Sequence, residues 1–173
     1  MDVTHSTLIS ADKIAERIGE MGKEITSAYE GEPVTVICVL KGAFIFAADL
    51  IRSLKLPIKV EFIGVSSYQG TKSTGNVRIT NDLSYDVAGK NVLLVEDMID
   101  SGTTIDYLIK LIGVRGPKSL KICAFLSKPD CHDMTDRINF IGFEIEDRFV
   151  VGYGLDLDGK YRELPYLAEL KTL

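Results

Sequence analysis

Apolar residues fall along this chain in two alternating patterns, short continuous runs and sets staggered at helical spacing. Ile14, Ile18, Met21 and Ile25 recur every three or four positions within 10–28, which predicts a helix laid by one face on a core. Residues 34–40 are almost continuously apolar, as in a central parallel strand covered on both faces. After Lys41-Gly42 the helical period returns through Phe44, Ala47, Ala48, Ile51 and Leu54. Residues 58–65 and 77–79 read as strands, joined by a polar loop over 66–76 that carries Gly70, Lys72 and Gly75. The run 91–95 is a further strand. Ile105, Leu108, Ile109 and Ile112 then mark a helix over 103–114, broken by Gly116-Pro117. Apolar runs at 120–126, 138–145 and 149–152 complete the pattern. Strand and helix alternate over 34–126, so the expected class is α/β, a parallel sheet with right-handed crossovers. Neither repeats nor linkers divide the chain, and a length of 173 residues suits one domain over 1–173.

Open parallel sheets bind ligands at the carboxyl ends of their strands. By that rule Lys41-Gly42, residues 96–104 and Ser127-Lys128 all reach one edge and face one cleft. The segment 92–104 carries the most specific chemistry. Its apolar run leads into Glu96, Asp97 and Asp100, then into Ser101-Gly102-Thr103-Thr104 at the start of a helix. Free backbone N–H groups and the helix dipole converge at such a turn and favour an anion. Acids beside an anion would repel it unless they serve another group, either sugar hydroxyls or a bridging divalent cation. The combination points to a sugar phosphate. The glycine spacing and terminal Lys-Ser/Thr of a Walker A loop are absent, as are the three glycines of a dinucleotide fold.

Composition narrows the picture further. A net charge of −5 argues against a nucleic-acid surface, which needs a basic field. No window approaches ~18 uncharged apolar residues, so no membrane span is expected. Residues 1–8 lack a basic segment followed by an apolar run, so no signal peptide is expected and the location reads as cytoplasmic. Cys38, Cys123 and Cys131 are odd in number, lack metal-ligand spacing and read as small core residues in a reducing compartment. His5 and His132 are too isolated to form a histidine metal site.

As a whole, 92–104 resembles the phosphoribosyl-pyrophosphate (PRPP) motif of the type I phosphoribosyltransferases, and the likeness runs from about Ile9 to Tyr166. The resemblance implies the type I phosphoribosyltransferase fold, a central parallel β-sheet flanked by helices with a small hood formed by chain-terminal segments. Lys128, after a strand ending at Ser127, is similar to the lysine of the 6-oxopurine members, which donates to the base's exocyclic oxygen. The run Asp147-Arg148-Phe149-Val150-Val151-Gly152-Tyr153-Gly154-Leu155-Asp156 resembles their base-binding segment. There Phe149 would stack on the purine, the backbone around Val150 would bond its edge, and Asp156 would approach the metal.

Leu40-Lys41-Gly42 is similar to the family's pyrophosphate loop, in which the Leu–Lys peptide is often cis. Ser67-Tyr68 with Ser73-Thr74-Gly75 resembles its flexible catalytic loop, and the segment 161–166 resembles the one whose arginine, here Arg162, meets pyrophosphate. In the same way Glu96 and Asp97 would hold ribose hydroxyls or the metal, Asp100 would take the purine N7 proton, and Ser101, Gly102, Thr103 and Thr104 would cradle the 5′-phosphate. Implied with these are a Mg2+ cofactor, PRPP and a 6-oxopurine as substrates, and a homodimer or homotetramer. Met98 stands where a branched aliphatic is commoner. Two rivals are weaker. A response-regulator receiver would place its acid pair after the first strand, whereas here several strands precede 96–97. A nucleic-acid-binding regulator on the same fold is opposed by the net charge.

Overall fold

The computed structural model of the protein describes residues 4–67 and 77–171. Ser10 stands outside the first helix as its cap, its Oγ accepting from Lys13 N, and α1 runs Ala11–Ala28 with Ile14, Ile18, Met21 and Ile25 buried. β2 (Val34–Leu40) and α2 (Phe44–Ser53) follow, with β1 (Thr4–Ile9) preceding α1. β3 (Ile58–Ser67) and β4 (Val77–Asn81) pair antiparallel, and β5 (Asn91–Ile99), α3 (Thr103–Gly113), β6 (Ser119–Ser127) and β7 (Phe140–Glu144) continue the alternation. β8 (Val150–Val151) and β9 (Leu167–Lys171) close the chain.

The larger sheet has the order β4-β3-β2-β5-β6-β7, parallel except for β4 at its edge. Strand residues alternate between two cores, as the pleat requires. Val36, Cys38, Leu93, Val95, Cys123 and Phe125 meet α1 and α2 on one face. Ile37, Val39, Val92, Leu94, Ile122 and Ala124 meet Ile105, Leu108 and Ile112 of α3 on the other. Coverage on both faces explains the unbroken apolar runs of β2 and β5.

The second sheet, β1-β9-β8, joins the two ends of the chain, pairing Thr4 with Lys171 and Ile9 with Leu167. It is the hood that the resemblance implied, although neither β1 nor β9 is visible as a strand in the apolar pattern. β8 is only two residues because Gly152, at φ +97°, turns the chain away. β7 starts at Phe140 rather than at 138, because Asn139 spends both its N–H and its side-chain oxygen on Ile122.

Candidate active site

The chain passes the carboxyl edge of the large sheet at every loop that carries candidate chemistry. β5 extends to Ile99, well past the expected end at 95, because β6 keeps pairing with it to Ser127 after β2 has stopped at Val95. Glu96 and Asp97 are therefore strand residues and project to opposite faces. Glu96 enters a small cavity of about 80 Å3 that is otherwise lined by Met98 and residues 99–105. Asp97 lines a neighbouring cavity of about 480 Å3 with Met98, Asp100, Lys128, Arg148, Phe149, Val150, Leu155 and Asp156. Met98 and Asp100 belong to both walls, so the two cavities meet at those residues.

The small cavity lies at the N-terminus of α3. Gly102 takes φ +78°, the left-handed conformation that favours glycine, and caps the helix with its backbone alone. A Cβ there would stand 2.5 Å from Met134 Sδ, so glycine is needed for space as well. Ser101 and Thr103 are exposed, with their hydroxyls 3.1 Å apart. The first N–H groups of α3 are left for a ligand. Glu96 is buried beneath this loop, with Oε1 accepting from Asp97 N at 3.3 Å and Oε2 without a hydrogen-bond partner among the described residues. Burial first, and then the Asp97 charge, push its carboxyl well above the usual carboxylate range.

Asp97 reaches the second cavity because residue 42 has no side chain. A Cβ at Gly42 would fall 1.4 Å from Asp97 Oδ2. Gly42 in turn follows a cis Leu40–Lys41 peptide, and Lys41 is exposed with no ion pair among the described residues. The 152–154 turn closes on the same place, since a Cβ at Gly154 would lie 2.2 Å from the Gly42 carbonyl oxygen. Asp156 and Arg162, both expected at pyrophosphate or metal, pair with each other at 2.6 Å. Asp156 also accepts from Gly159 N, and Arg162 donates to the Gly154 carbonyl.

On the base side Phe149 is exposed, 57% of its surface being open, and Val150 is buried beside it. Lys128 is buried, donates to Asp147 Oδ1 at 2.9 Å and lies 3.6 Å from Asp100 Oδ2. Tyr68 and residues 73–75 lie outside the described residues. Ser67 is the last residue of β3 and pairs with Val77.

The structure thus brings Asp97, Asp100, Lys128, Phe149, Val150 and Asp156 to one cavity, Glu96 and 101–104 to the adjoining one, and Lys41-Gly42 to their rim. Arg162 is held on the turn behind Asp156. Sequence reasoning placed Asp147 and Gly154 inside the base-binding run but gave neither a role, and it missed Met134, which carries no motif of its own. A larger cavity, about 680 Å3, opens at the opposite end of the sheet among Glu32, Pro57, Lys59, Lys90 and Lys118, far from these loops.

Comparison with known proteins agrees with this arrangement. Residues 6–158 match the Phosphoribosyl transferase domain family. The chain is 45% identical over 172 residues to a hypoxanthine-guanine phosphoribosyltransferase of Mycobacterium avium, covering 95% of this chain and 85% of that protein. It is 42% identical over 176 residues to a hypoxanthine phosphoribosyltransferase of Salmonella typhimurium, covering 100% and 99%. The solved hypoxanthine phosphoribosyltransferase of Trypanosoma cruzi in complex with IMP superimposes with a TM-score of 0.89 at 38% identity, covering 95% and 93%. No helix among the described residues is long and apolar enough to cross a membrane. With a helix-capped anion loop, two adjoining cavities and this degree of identity along its length, the chain belongs to the phosphoribosyltransferase family, among its hypoxanthine-guanine phosphoribosyltransferases.

Proposed function

We propose that the protein transfers the phosphoribosyl group of PRPP to hypoxanthine or guanine, giving IMP or GMP and pyrophosphate, as a single domain over residues 1–173. The observation that carries this reading is the junction of the two cavities at Asp100. A loop suited to phosphate lies on one side and a cleft with an aromatic wall on the other, the order in which a nucleotide presents its phosphate and its base. That the Trypanosoma cruzi relative was solved with IMP supports a site that takes a purine nucleotide.

The 5′-phosphate rests on the N–H groups and hydroxyls of Ser101, Gly102, Thr103 and Thr104. Glu96 and Asp97 flank the ribose, and Lys41 and Arg162 face pyrophosphate. Phe149 stacks on the purine, worth ~1–3 kcal/mol by analogy with base stacking on aromatics. The Val150 backbone bonds the purine edge, and Lys128 donates to O6. A ring nitrogen of the base displaces pyrophosphate at the anomeric carbon, through a transition state with oxocarbenium character. Asp100, at the junction, accepts the N7 proton as the bond forms. Its carboxylate is not spent on capping α3, which the Gly102 backbone does.

The donor set also fits a hard divalent cation. Asp97 and Asp156 line one cavity, and in the adjoining one Glu96 has a buried oxygen without a hydrogen-bond partner among the described residues. Magnesium (Mg2+), held by Asp97 and Asp156 with Glu96 beside them, would offset the pyrophosphate charge. Arg162 and Asp156 must exchange their mutual ion pair for these ligands when PRPP enters. The enzyme acts in the cytoplasm as a homodimer or homotetramer.

The test is to incubate the protein with PRPP and Mg2+ and, separately, hypoxanthine, guanine, xanthine, adenine and uracil. Nucleotide should form with hypoxanthine and guanine and not with adenine or uracil, and excess EDTA should abolish it. Absence of product with both oxopurines overturns the activity, and full turnover in EDTA overturns the metal dependence.

A further inference from the structure

Lys128 is enclosed between two acids that belong to different loops. Its side chain is 6% exposed, whereas those of Asp100 and Asp147 are 53% and 73% exposed. Burial alone would disfavour the ammonium. The hydrogen bond to Asp147, with the charges of Asp100 and Asp147, more than offsets that and holds Lys128 protonated. The main chain around it is stapled on both sides, Lys128 N donating to the Ile99 carbonyl and Ile145 N to that of Ser127. Those bonds fix the Cα but not the ammonium, which ends a flexible four-carbon stem. Among the described residues two carboxylates hold it. At 2.9 Å the Asp147 contact is a hydrogen bond, whereas 3.6 Å to Asp100 is beyond one. Asp147 itself does not line the 480 Å3 cavity and so acts behind the lysine.

We propose that Asp147 is a positioning residue for base selection, whose carboxylate holds the Lys128 ammonium at the purine's O6 and off Asp100. The assignment rests on the roles given above to Lys128 and Asp100. Asp147 precedes Phe149 by two residues, so the loop that carries the stacking ring also aims the lysine, and the two contacts to the base are set together. Without the Asp147 charge, Lys128 has one carboxylate left within reach. It then moves towards Asp100, which draws the donor off O6. Cys131 cannot take over. Its Sγ lies within 4.8 Å of both carboxylates, but burial and those charges keep the thiol protonated.

The experiment compares the parent with Asp147→Asn, Asp147→Glu and Lys128→Gln in steady-state assays varying PRPP and hypoxanthine, with adenine as a competitor of the base and melting followed in parallel. Asp147→Asn should lower kcat/KM for hypoxanthine by about 10–100-fold, the size of one charge-assisted hydrogen bond. Its preference for hypoxanthine over adenine should fall while KM for PRPP stays put, and Asp147→Glu should recover most of the loss. If Lys128→Gln shifts the preference and Asp147→Asn does not, the proposal is overturned and the role of Lys128 stands. If neither shifts it, the role of Lys128 falls and the proposal with it. A loss spread evenly over PRPP and base, or one that Asp147→Glu fails to recover, also overturns the proposal.

Discussion

Replacing Gly42 with Ala puts one methyl group where the Asp97 carboxylate sits. A Cβ at that position stands 1.4 Å from Asp97 Oδ2, 2.4 Å from its Cγ and 3.3 Å from its Cβ. Non-bonded heavy atoms settle at about 3.5 Å, so the carboxylate has to retreat by roughly 2 Å. Gly42 is not among the glycines at positive φ, so the methyl strains no backbone and the whole penalty is steric. The Asp97 Cβ is tight but tolerable at its distance, and β5 is held by β6 on either side of it. The least costly response is rotation of the Asp97 side chain, with loss of the 2.8 Å bond its Oδ1 accepts from Met98 N. For the fold this amounts to about 1–2 kcal/mol, one hydrogen bond and a poorer rotamer.

For catalysis the cost is larger, because a misplacement of ~1 Å in a reacting constellation removes ~10²-fold in rate. Gly42→Ala should therefore lose ~10²-fold or more in kcat/KM for PRPP, measured at saturating hypoxanthine, with urea unfolding only slightly weakened. The same substitution placed on an Asp97→Ala background should add almost nothing, since there is no carboxylate left to displace. A loss below about fivefold in the single variant, or a full further loss on the Asp97→Ala background, would refute the reasoning.

Asp100→Asn keeps the shape and removes the proton acceptor, so turnover should drop by ~10²–10⁴ with KM for PRPP unchanged; a drop under about threefold at equal stability removes Asp100 from the chemistry. Phe125 is buried among Phe46, Phe143 and Tyr153 at centroid distances of 5.3, 5.8 and 5.0 Å, tying α2, β6, β7 and the 152–154 turn together. Phe125→Ala should cost ~3–5 kcal/mol in urea unfolding, and a cost under about 1 kcal/mol would show that the cluster does not hold the core. Cys38 and Cys123 are fully buried, and burial pushes the Cys38 thiol up to about 12 and that of Cys123 higher still. A thiol reagent at mildly alkaline pH should label Cys131, the partly exposed one, well ahead of Cys38 and Cys123 in the folded protein, and all three after denaturation. Rapid labelling of Cys38 or Cys123 in the native state would contradict the packing.

The elements and the cleft were legible in the sequence because their signals are local. An apolar run covered on both faces, a helical period, and a hydroxyl-glycine turn after a strand each declare themselves within a dozen residues. Seven of the candidate site residues share one short segment, 96–104, whose chemistry needs no partner to be read. What depended on distant pairing was not legible. β1 and β9 are strands because residues 4–9 meet 167–171, and neither segment has a periodicity of its own strong enough to show it.

The same holds within the site. β5 carries Glu96 and Asp97 as strand residues only because β6 continues to Ser127, and that extension sends two adjacent acids into different cavities. Arg162 meets Asp156 across a chain reversal with left-handed backbone at Asp158, Gly159 and Tyr161. Asp147, an acid on an exposed loop, acquires a role only when the fold brings it to the buried Lys128. Residue type and spacing determined which groups are available to bind a sugar phosphate and a base. Tertiary packing decided which face each group occupies and which charge stands beside which, since a pleated strand reverses its side chains at every residue and ion pairs form between loops far apart in the chain.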